Sequence, residues 1–160
     1  MEFHSRNPAE TRSLAGRLAR EIDSRGLVIA LIGPLGAGKT VFAQGLAEGL
    51  DLDQGLLSSP TFVIANELET SGGVRLVHAD LYRVESEGEL ESAGWLDWLV
   101  DGSVVVVEWG DRFPAALPRD HLEVRLSGAD PGRPERRTIE VRAGGPVSQA
   151  ALERWRERRS

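Results

Sequence analysis

The sequence of 160 residues contains no cysteine. That absence excludes disulfide bonds, a thiol nucleophile and metal sites built from thiolates, and it favours a reducing cytosol as the compartment. Long apolar runs are missing too, because the longest, Leu27–Ile32 and Val104–Val107, are far shorter than a membrane span. The first residues lack the apolar centre of a signal peptide. We therefore expect a cytoplasmic protein with no membrane segment.

Lysine is nearly absent, since eighteen of the nineteen basic residues are Arg and only Lys39 is Lys. A sequence that uses arginine wherever a generic cation suffices keeps a lysine where a compact ammonium group is required. Acidic residues outnumber basic ones by 25 to 19, which gives a net charge of -6. The surface as a whole repels nucleic acid, so any contact with RNA or DNA needs a local basic patch or a partner protein.

The composition is that of one globular domain, with 41% hydrophobic and 28% charged residues. Asn7 and Pro8 carry the start signals of a helix, which we predict over Pro8–Arg25. The continuous apolar run Leu27–Ile32 predicts a strand buried on both faces. Apolar residues at helical spacing then predict a second helix over Lys39–Leu50.

The rest of the chain alternates predicted strands with short helices. Thr61–Glu67 and Val74–Asp80 have the composition of strands, and the glycines between them predict an antiparallel hairpin. Further predicted elements are one or two short helices within Glu85–Leu99, strands over Ser103–Glu108, near His121–Leu126 and over Thr138–Arg142, and a last helix after Pro146. This order of elements indicates an α/β fold, in which helices flank a mixed parallel and antiparallel sheet.

Residues 33–40 read Gly-Pro-Leu-Gly-Ala-Gly-Lys-Thr and fit the pattern G-x-x-x-x-G-K-[ST] of a phosphate-binding loop, or P-loop. The context agrees with the pattern, because the loop lies between a predicted buried strand and a predicted helix. Its glycines allow consecutive backbone N–H groups to face a polyphosphate. Lys39 can reach the β- and γ-phosphate oxygens, and the Thr40 hydroxyl can bind Mg²⁺. The sequence therefore predicts a nucleoside triphosphate site.

A P-loop also needs an acidic residue at the end of a neighbouring strand to hold the metal, and a polar group that orients the attacking water. Two apolar runs end in this way, one at Asp80 and one at Glu108. Their spacing leaves open which of the two binds metal and which handles water. The guanine-binding pattern N-K-x-D is excluded because Lys39 is the only lysine. The predicted nucleotide is therefore ATP.

Two residues next to these acids have more than one possible role. His78 lies in an apolar run with no other His or Cys nearby, which favours a packed or hydrogen-bonded histidine over a metal ligand. Trp109 follows Glu108 and could place that residue, cover the nucleotide or pack in the core.

Five motifs follow one another along the chain. They are the P-loop, Ser59–Phe62 (S-P-T-F), His78–Arg83 (H-A-D-L-Y-R), Glu89-Leu90 with Gly94, and Val107–Trp109 (V-E-W). Together they resemble the bacterial TsaE family, the small P-loop ATPases of the tRNA threonylcarbamoyladenosine pathway. The resemblance runs from about Thr11 to Arg133, which is most of the chain.

The resemblance implies a mixed-sheet domain that binds ATP with Mg²⁺ and hydrolyses ATP slowly by itself. It implies two partner proteins, TsaB and TsaD, which transfer threonylcarbamoyl to the adenosine next to certain tRNA anticodons. The ATPase would reset or activate that complex and would contact tRNA only through it. The acidic net charge agrees with such an indirect contact. The ATPase domain would span residues 1–145, and the Arg-rich residues 146–160 would form a helix packed on it or extending from it.

The resemblance also implies roles for individual residues. Thr40 and Glu108 would bind magnesium, whereas Asp80 would position water or act as a switch. The residues expected to bind ATP are Thr11, Gly33, Gly36, Ala37, Gly38, Lys39, Thr40, Val41 and Arg133, with Arg136 and Arg137 as alternatives to Arg133. Ser59 and Thr61 fall in a segment that would sense the γ-phosphate. The residues expected to carry the catalysis are Lys39, Asp80 and Glu108.

Two other functions are compatible with a P-loop. A small-molecule kinase uses the same groups, and the Arg-rich segment Asp130–Arg137 could clamp phosphate, although that segment joins two predicted strands and no acceptor-binding region is visible. A nucleotide-gated binding module would bind ATP without turnover. The four arginines within residues 146–160 could contact tRNA or an acidic partner, or could form a solvated helix face.

Overall fold

The computed structural model describes residues 1–52, 64–70, 72–128 and 131–158. Its helices are α1 (Pro8–Ala19), α2 (Lys39–Gly49), α3 (Glu87–Ser92), α4 (Trp95–Trp98) and α5 (Pro146–Glu157), and a short 3₁₀ turn spans Pro114–Ala116. Its strands are β1 (Glu2–Ser5), β2 (Leu27–Ile32), β3 (Ala65–Glu69), β4 (Arg75–Asp80), β5 (Val104–Glu108), β6 (Leu122–Gly128) and β7 (Arg137–Ala143).

These strands form one sheet in the order β1-β7-β6-β2-β5-β4-β3. The central strands β6, β2, β5 and β4 pair in parallel, whereas β7 pairs antiparallel with β6 and with β1, and β3 pairs antiparallel with β4. Because the central strands are parallel, their carboxyl ends meet at one edge of the sheet. The predicted α/β fold with a mixed sheet is confirmed.

Alternating side chains divide the core between the two faces of the sheet. In β5, Val104 and Val106 belong to the cluster formed with α1, α2 and α5, whereas Val105 and Val107 belong to the cluster formed with α3 and α4. The strand is buried over its whole length because helices cover both faces. Glu108 continues the alternation and therefore lies on the α2 face, at the edge where the parallel strands end.

Helices α1 and α2 approach each other closely at three glycines, Gly16, Gly45 and Gly49. A Cβ atom on Gly45 would lie 2.2 Å from the backbone oxygen of Arg12, and one on Gly49 would lie 2.4 Å from that of Gly16. No side chain fits between the two backbones there, although glycine is a poor helix former. The contact fixes α2, and with it the P-loop at its N-terminus, against α1.

The C-terminal helix α5 packs against β1 and against the segment that follows α1. Trp155 is buried and stacks on Phe3, with ring centroids 4.1 Å apart. Arg154 donates to the backbone oxygen of Glu21 at 2.7 Å, and Arg158 pairs with the Glu21 carboxylate at 3.0 Å. These two arginines therefore bind the protein's own chain, and the Arg158 side chain still has 74% of its surface exposed. Contact of the C-terminal arginines with tRNA or an acidic partner stays a prediction.

The N-terminus of α5 is capped by a residue from outside the helix. Gly145 stands at the N-cap position without a side chain, and the Asp120 carboxylate instead accepts hydrogen bonds from the N–H groups of Val147 at 2.8 Å and Ser148 at 3.0 Å. Burial by itself would raise the pKa of Asp120. The hydrogen bonds from Ser148 and Val147 outweigh burial and hold that pKa below its usual range.

Some elements differ from the sequence-based prediction. Strand β1 was not predicted, because Phe3 is the only apolar residue in this short edge strand. Helix α1 ends at Ala19 rather than at Arg25, since tight turns follow it. The predicted hairpin is confirmed by the pairing of β3 with β4, but Ser59 and Thr61 lie outside the described residues.

Within the described ranges, no helix combines the length and apolar character that a membrane crossing requires.

We expect Gly45→Ala to destabilise the protein. Alanine would gain about 1 kcal/mol in helix propensity, but its Cβ would overlap the Arg12 carbonyl oxygen and push α1 and α2 apart. The net loss in the free energy of unfolding should be about 1–3 kcal/mol, measured by urea titration. Gly88→Ala in α3 is the matched control, because the nearest atom to its Cβ would be 3.9 Å away. Equal effects of the two substitutions would contradict this account of the helix contact.

Asp120→Ala should lower the free energy of unfolding near neutral pH by about 1 kcal/mol, as expected for a lost helix cap. Because the pKa of Asp120 is lowered by folding, the charged cap stabilises the protein above the ordinary pKa of an aspartate. That stabilisation disappears as the pH falls through the lowered value. The difference between wild type and variant should therefore shrink on acidification, and a difference that does not change with pH would show that the charge contributes nothing.

Candidate functional site

The P-loop leaves β2 at Gly33 and enters α2 at Lys39. Gly33 passes so close to β6 that a Cβ atom there would lie 2.4 Å from the backbone oxygen of Leu126. Gly36 and Gly38 have φ angles of 78° and 99°, which residues with a side chain rarely adopt. Gly38 is also the N-cap of α2 and makes no side-chain cap. The helix thus begins without a side-chain cap from its own N-cap residue, and helix N-termini of this kind are typical phosphate-binding positions.

Lys39 lies beneath the indole of Trp109 and is only 5% exposed. Its ammonium group donates to the backbone oxygens of Gly33 at 2.6 Å and Pro34 at 2.9 Å, and it lies 4.0 Å from the centre of the Trp109 ring. Burial lowers the pKa of Lys39, and nearby carboxylates, Glu108 first among them, oppose that shift. The loop thus satisfies the buried ammonium group with its own carbonyl oxygens.

Glu108 ends β5 and is buried, and both of its carboxylate oxygens have partners. Oε1 accepts a hydrogen bond from the Thr40 hydroxyl at 2.9 Å, and Oε2 lies 2.5 Å from Nε2 of His78. The parallel pairing of β4 with β5 places His78 opposite Val106, on the face of the sheet that α2 covers. Residues distant in the sequence therefore meet at the first turn of α2.

Asp80 ends β4 and lies in register with Glu108 on the neighbouring strand. Its Oδ1 accepts a hydrogen bond from the backbone N–H of Tyr82 at 3.0 Å. Burial raises the pKa of Asp80, and the Tyr82 hydrogen bond opposes that effect. The two acids that the sequence left equivalent are thus distinguished, because Glu108 accepts from Thr40 whereas Asp80 accepts from the turn that follows its own strand.

One cleft of about 290 Å³ brings most of the predicted residues together. It is lined by Leu35, Gly36, Gly38, Lys39, Thr40, Val41, Asp80, Tyr82, Glu108 and Trp109. Tyr82 and Leu35 are not among the residues predicted individually, although Tyr82 belongs to the D-L-Y-R motif that could have indicated it.

Trp109 has an unusual backbone conformation for a bulky residue, with φ at 59°. Its ring centroid lies 5.0 Å from that of Tyr82. The next residue, Gly110, passes so close to β2 that a Cβ atom there would lie 2.7 Å from the Cβ of Ala30. The sharp turn at Trp109 brings its indole over Lys39.

Thr11 and Arg133, both expected from the resemblance to bind ATP, lie outside the lining of this cleft. Thr11 is buried in the first turn of α1, where its hydroxyl lies 2.7 Å from that of Ser5. Arg133 lines a separate surface pocket together with Arg136. Direct contact of these residues with ATP therefore stays a prediction.

Of the alternatives Arg133, Arg136 and Arg137, it is Arg137 that contacts the P-loop. Its Nε donates to the backbone oxygen of Ala37 at 2.8 Å, and an Nη atom donates to that of Gly36 at 3.1 Å. Further hydrogen bonds reach the backbone oxygens of Pro134 and Arg136. Because a guanidinium group is a rigid fork of donors, Arg137 ties the start of β7 to the loop.

Thr40 and Glu108 offer oxygen ligands, which Mg²⁺ prefers. Among the residues that the structure describes, no three His, Asp or Glu come together in a group that could hold a metal by itself. A metal bound here would take its other ligands from water and from phosphate oxygens, which is the usual arrangement for magnesium at a P-loop. The donor set therefore fits magnesium that binds together with ATP.

We expect Arg137→Ala to weaken binding of a non-hydrolysable ATP analogue by about tenfold or more, because hydrogen bonds from a charged group are worth about 1.5–3 kcal/mol. Without them the backbone of Gly36 and Ala37 is no longer tied to β7. Calorimetric titration measures the effect. Arg142→Ala is the matched control, since it removes an exposed arginine from the same strand. Equal affinities of the two variants would contradict a role of Arg137 in holding the loop.

Comparison with known proteins agrees with the motifs. The profile of the family described as "Threonylcarbamoyl adenosine biosynthesis protein TsaE" matches residues 5–138. The chain is 36% identical over 129 residues to the tRNA threonylcarbamoyladenosine biosynthesis protein TsaE of Bacillus subtilis, a match that covers 81% of this chain and 78% of that protein. It is 43% identical over 120 residues to the protein of the same name from Streptomyces coelicolor, covering 74% and 79%.

The fold is also similar to that of a solved bacterial protein. The crystal structure of YdiB from Bacillus subtilis matches with a TM-score of 0.76 and 28% sequence identity, over 100% of this chain and 96% of that one. The similarity in sequence and the similarity in fold thus both cover the whole region that contains the cleft. The resemblance inferred from the five motifs is confirmed, and the chain belongs to the TsaE family.

Proposed function

We propose that this protein is a Mg²⁺-dependent ATPase that acts in the threonylcarbamoylation of tRNA at the adenosine next to the anticodon. Its family supports the pathway, because similar proteins carry the name tRNA threonylcarbamoyladenosine biosynthesis protein. The observation that supports ATP chemistry is the hydrogen bond from Thr40 to Glu108 beside Lys39, within one cleft at the P-loop.

In this proposal the P-loop binds the triphosphate of ATP. The first N–H groups of α2, which Gly38 does not cap, donate to phosphate oxygens. Lys39 exchanges the carbonyl oxygens of Gly33 and Pro34 for β- and γ-phosphate oxygens. In its new position the ammonium group stabilises the negative charge that develops on the phosphates during hydrolysis.

Thr40 and Glu108 would hold magnesium. When bound, the positive ion would offset the negative charge of the phosphate oxygens. Asp80 would accept a hydrogen bond from the attacking water and orient it. The raised pKa of Asp80 supports that role, because a carboxylate whose pKa is closer to neutrality is a better proton acceptor.

TsaB and TsaD are the proposed partners. They would carry out the transfer and hold the tRNA, and the ATPase would reset or activate their complex in the cytoplasm. The net charge of -6 supports an indirect contact with tRNA, since the surface as a whole repels a polyanion.

The test is ATP hydrolysis by the purified protein, alone and with TsaB, TsaD and tRNA from the same organism. We expect slow phosphate release that requires Mg²⁺ and no other acceptor, and that the partners stimulate. Lys39→Ala should lower the stimulated rate by about 100-fold or more. Arg142→Ala, at an exposed position of β7, should leave it unchanged.

Each of the other outcomes of this assay points to a different function. ATP turnover only in the presence of a small-molecule acceptor would favour a kinase. ATP binding with no turnover, even with the partners present, would favour a nucleotide-gated binding module. A rate that is the same with and without the partners would contradict the proposed role in tRNA modification.

A further inference from the structure

His78 is a buried polar residue to which the proposed mechanism gives no task. It lies in β4 between Val77 and Ala79, two residues before Asp80, and has no exposed surface. Burying an imidazole among apolar side chains costs free energy unless its nitrogen atoms find partners. Its Nε2 has such a partner in Oε2 of Glu108, at 2.5 Å.

The direction of this hydrogen bond follows from the chemistry of the two groups. An ionised carboxylate only accepts hydrogen bonds, so Nε2 of His78 donates to Oε2 of Glu108. Among the described residues, Nδ1 of His78 has no hydrogen-bond partner. Within the described part of the chain, Glu108 is therefore the hydrogen-bond partner that orients the ring.

We propose that His78 is a positioning residue for Glu108 as a magnesium ligand, an inference that rests on the ATPase function proposed above. A glutamate side chain has several rotatable bonds, and a hydrogen bond to one carboxylate oxygen restricts the orientation of the other. His78 holds Oε2, and Oε1 then faces the hydroxyl of Thr40. The ring thus presents one oxygen of Glu108 to the metal, beside the other proposed ligand.

The register of the sheet explains how His78 reaches Glu108 without entering the cleft. His78 lies opposite Val106, and Asp80 lies opposite Glu108, so the ring approaches the carboxylate from further back along the strands. His78 is not part of the cleft lining. Residues that hold a metal ligand in this manner typically change metal affinity by about 10- to 100-fold when they are lost.

The experiment titrates Mn²⁺, detected by electron paramagnetic resonance, into the protein saturated with a non-hydrolysable ATP analogue. His78→Leu should weaken Mn²⁺ binding by about 10- to 100-fold. Its affinity for the analogue in EDTA, measured by calorimetry, should not change, because the P-loop is intact. His78→Gln can place an amide N–H near the position of Nε2 and should keep the loss below about tenfold. His78→Asn reaches only the position of Nδ1 and should resemble His78→Leu.

Two controls accompany the His78 variants. Val77→Ala removes buried volume from the same strand on the opposite face, so it should lower stability without changing the Mn²⁺ affinity. Glu108→Gln removes the charge of the proposed ligand and shows how much that carboxylate contributes to the Mn²⁺ affinity.

The outcomes separate this inference from the proposed function. If Glu108→Gln weakens Mn²⁺ binding and His78→Leu does not, the positioning role is overturned while the proposed function stands. If Glu108→Gln has no effect, the proposed magnesium site fails and the positioning role fails with it. If His78→Leu does not fold, a higher Mn²⁺ affinity of the Gln variant than of the Asn variant supports the role, and equal affinities overturn it.

Discussion

Parallel pairing of β2 with β5, and of β5 with β4, determines where the polar groups of the cleft lie. Parallel strands end at the same edge of a sheet, so the P-loop after β2, Glu108 at the end of β5 and Asp80 at the end of β4 are neighbours in space. Helices cover both faces of β5, which makes the register specific. A slip of one residue would turn Glu108 to the opposite face, away from Thr40.

Three side chains of the cleft, those of Lys39, Thr40 and Glu108, are paired within the protein. Lys39 donates to carbonyl oxygens of its own loop, and Thr40 donates to Glu108. Such pairing is what burial demands, since an unpaired ammonium or carboxylate group in this position would be costly. In the proposed function, binding of ATP therefore exchanges the hydrogen-bond partners of these side chains. Its affinity is a difference between two sets of hydrogen bonds rather than the sum of the new ones.

The parts of the fold with strong local signals could be predicted from the sequence. Residues 33–40 indicated the P-loop by their pattern, and the apolar run Leu27–Ile32 indicated β2 with the bounds that the structure has. Pro8 marked the start of α1, but the end of that helix depends on turns that carry no strong sequence signal. Strand β1 has a single apolar residue, and its partner β7 is almost the whole chain away.

Contacts between distant segments were the least predictable part of the site. Asp80 and Glu108 could be recognised as acids that end apolar runs. That Thr40 donates to Glu108 depends on the pairing of β2 with β5, which brings the start of α2 to the end of β5. His78 was expected to be packed or hydrogen-bonded, and its partner depends on the register of β4 with β5. The three nearby arginines 133, 136 and 137 are alike in sequence. How the β6–β7 hairpin lies against the P-loop decides that Arg137 is the one that contacts Gly36 and Ala37.

The place of β1 at the edge of the sheet determines the order in which the molecule can be assembled during synthesis. β1 pairs with β7, and Phe3 stacks on Trp155 of α5. On the ribosome the first strand is made long before its partner, so it stays unpaired until β7 has emerged. β2 and β5 can meet earlier, because β5 precedes β6 and β7 in the chain. The β1 edge of the sheet is thus completed only after the central strands have been made.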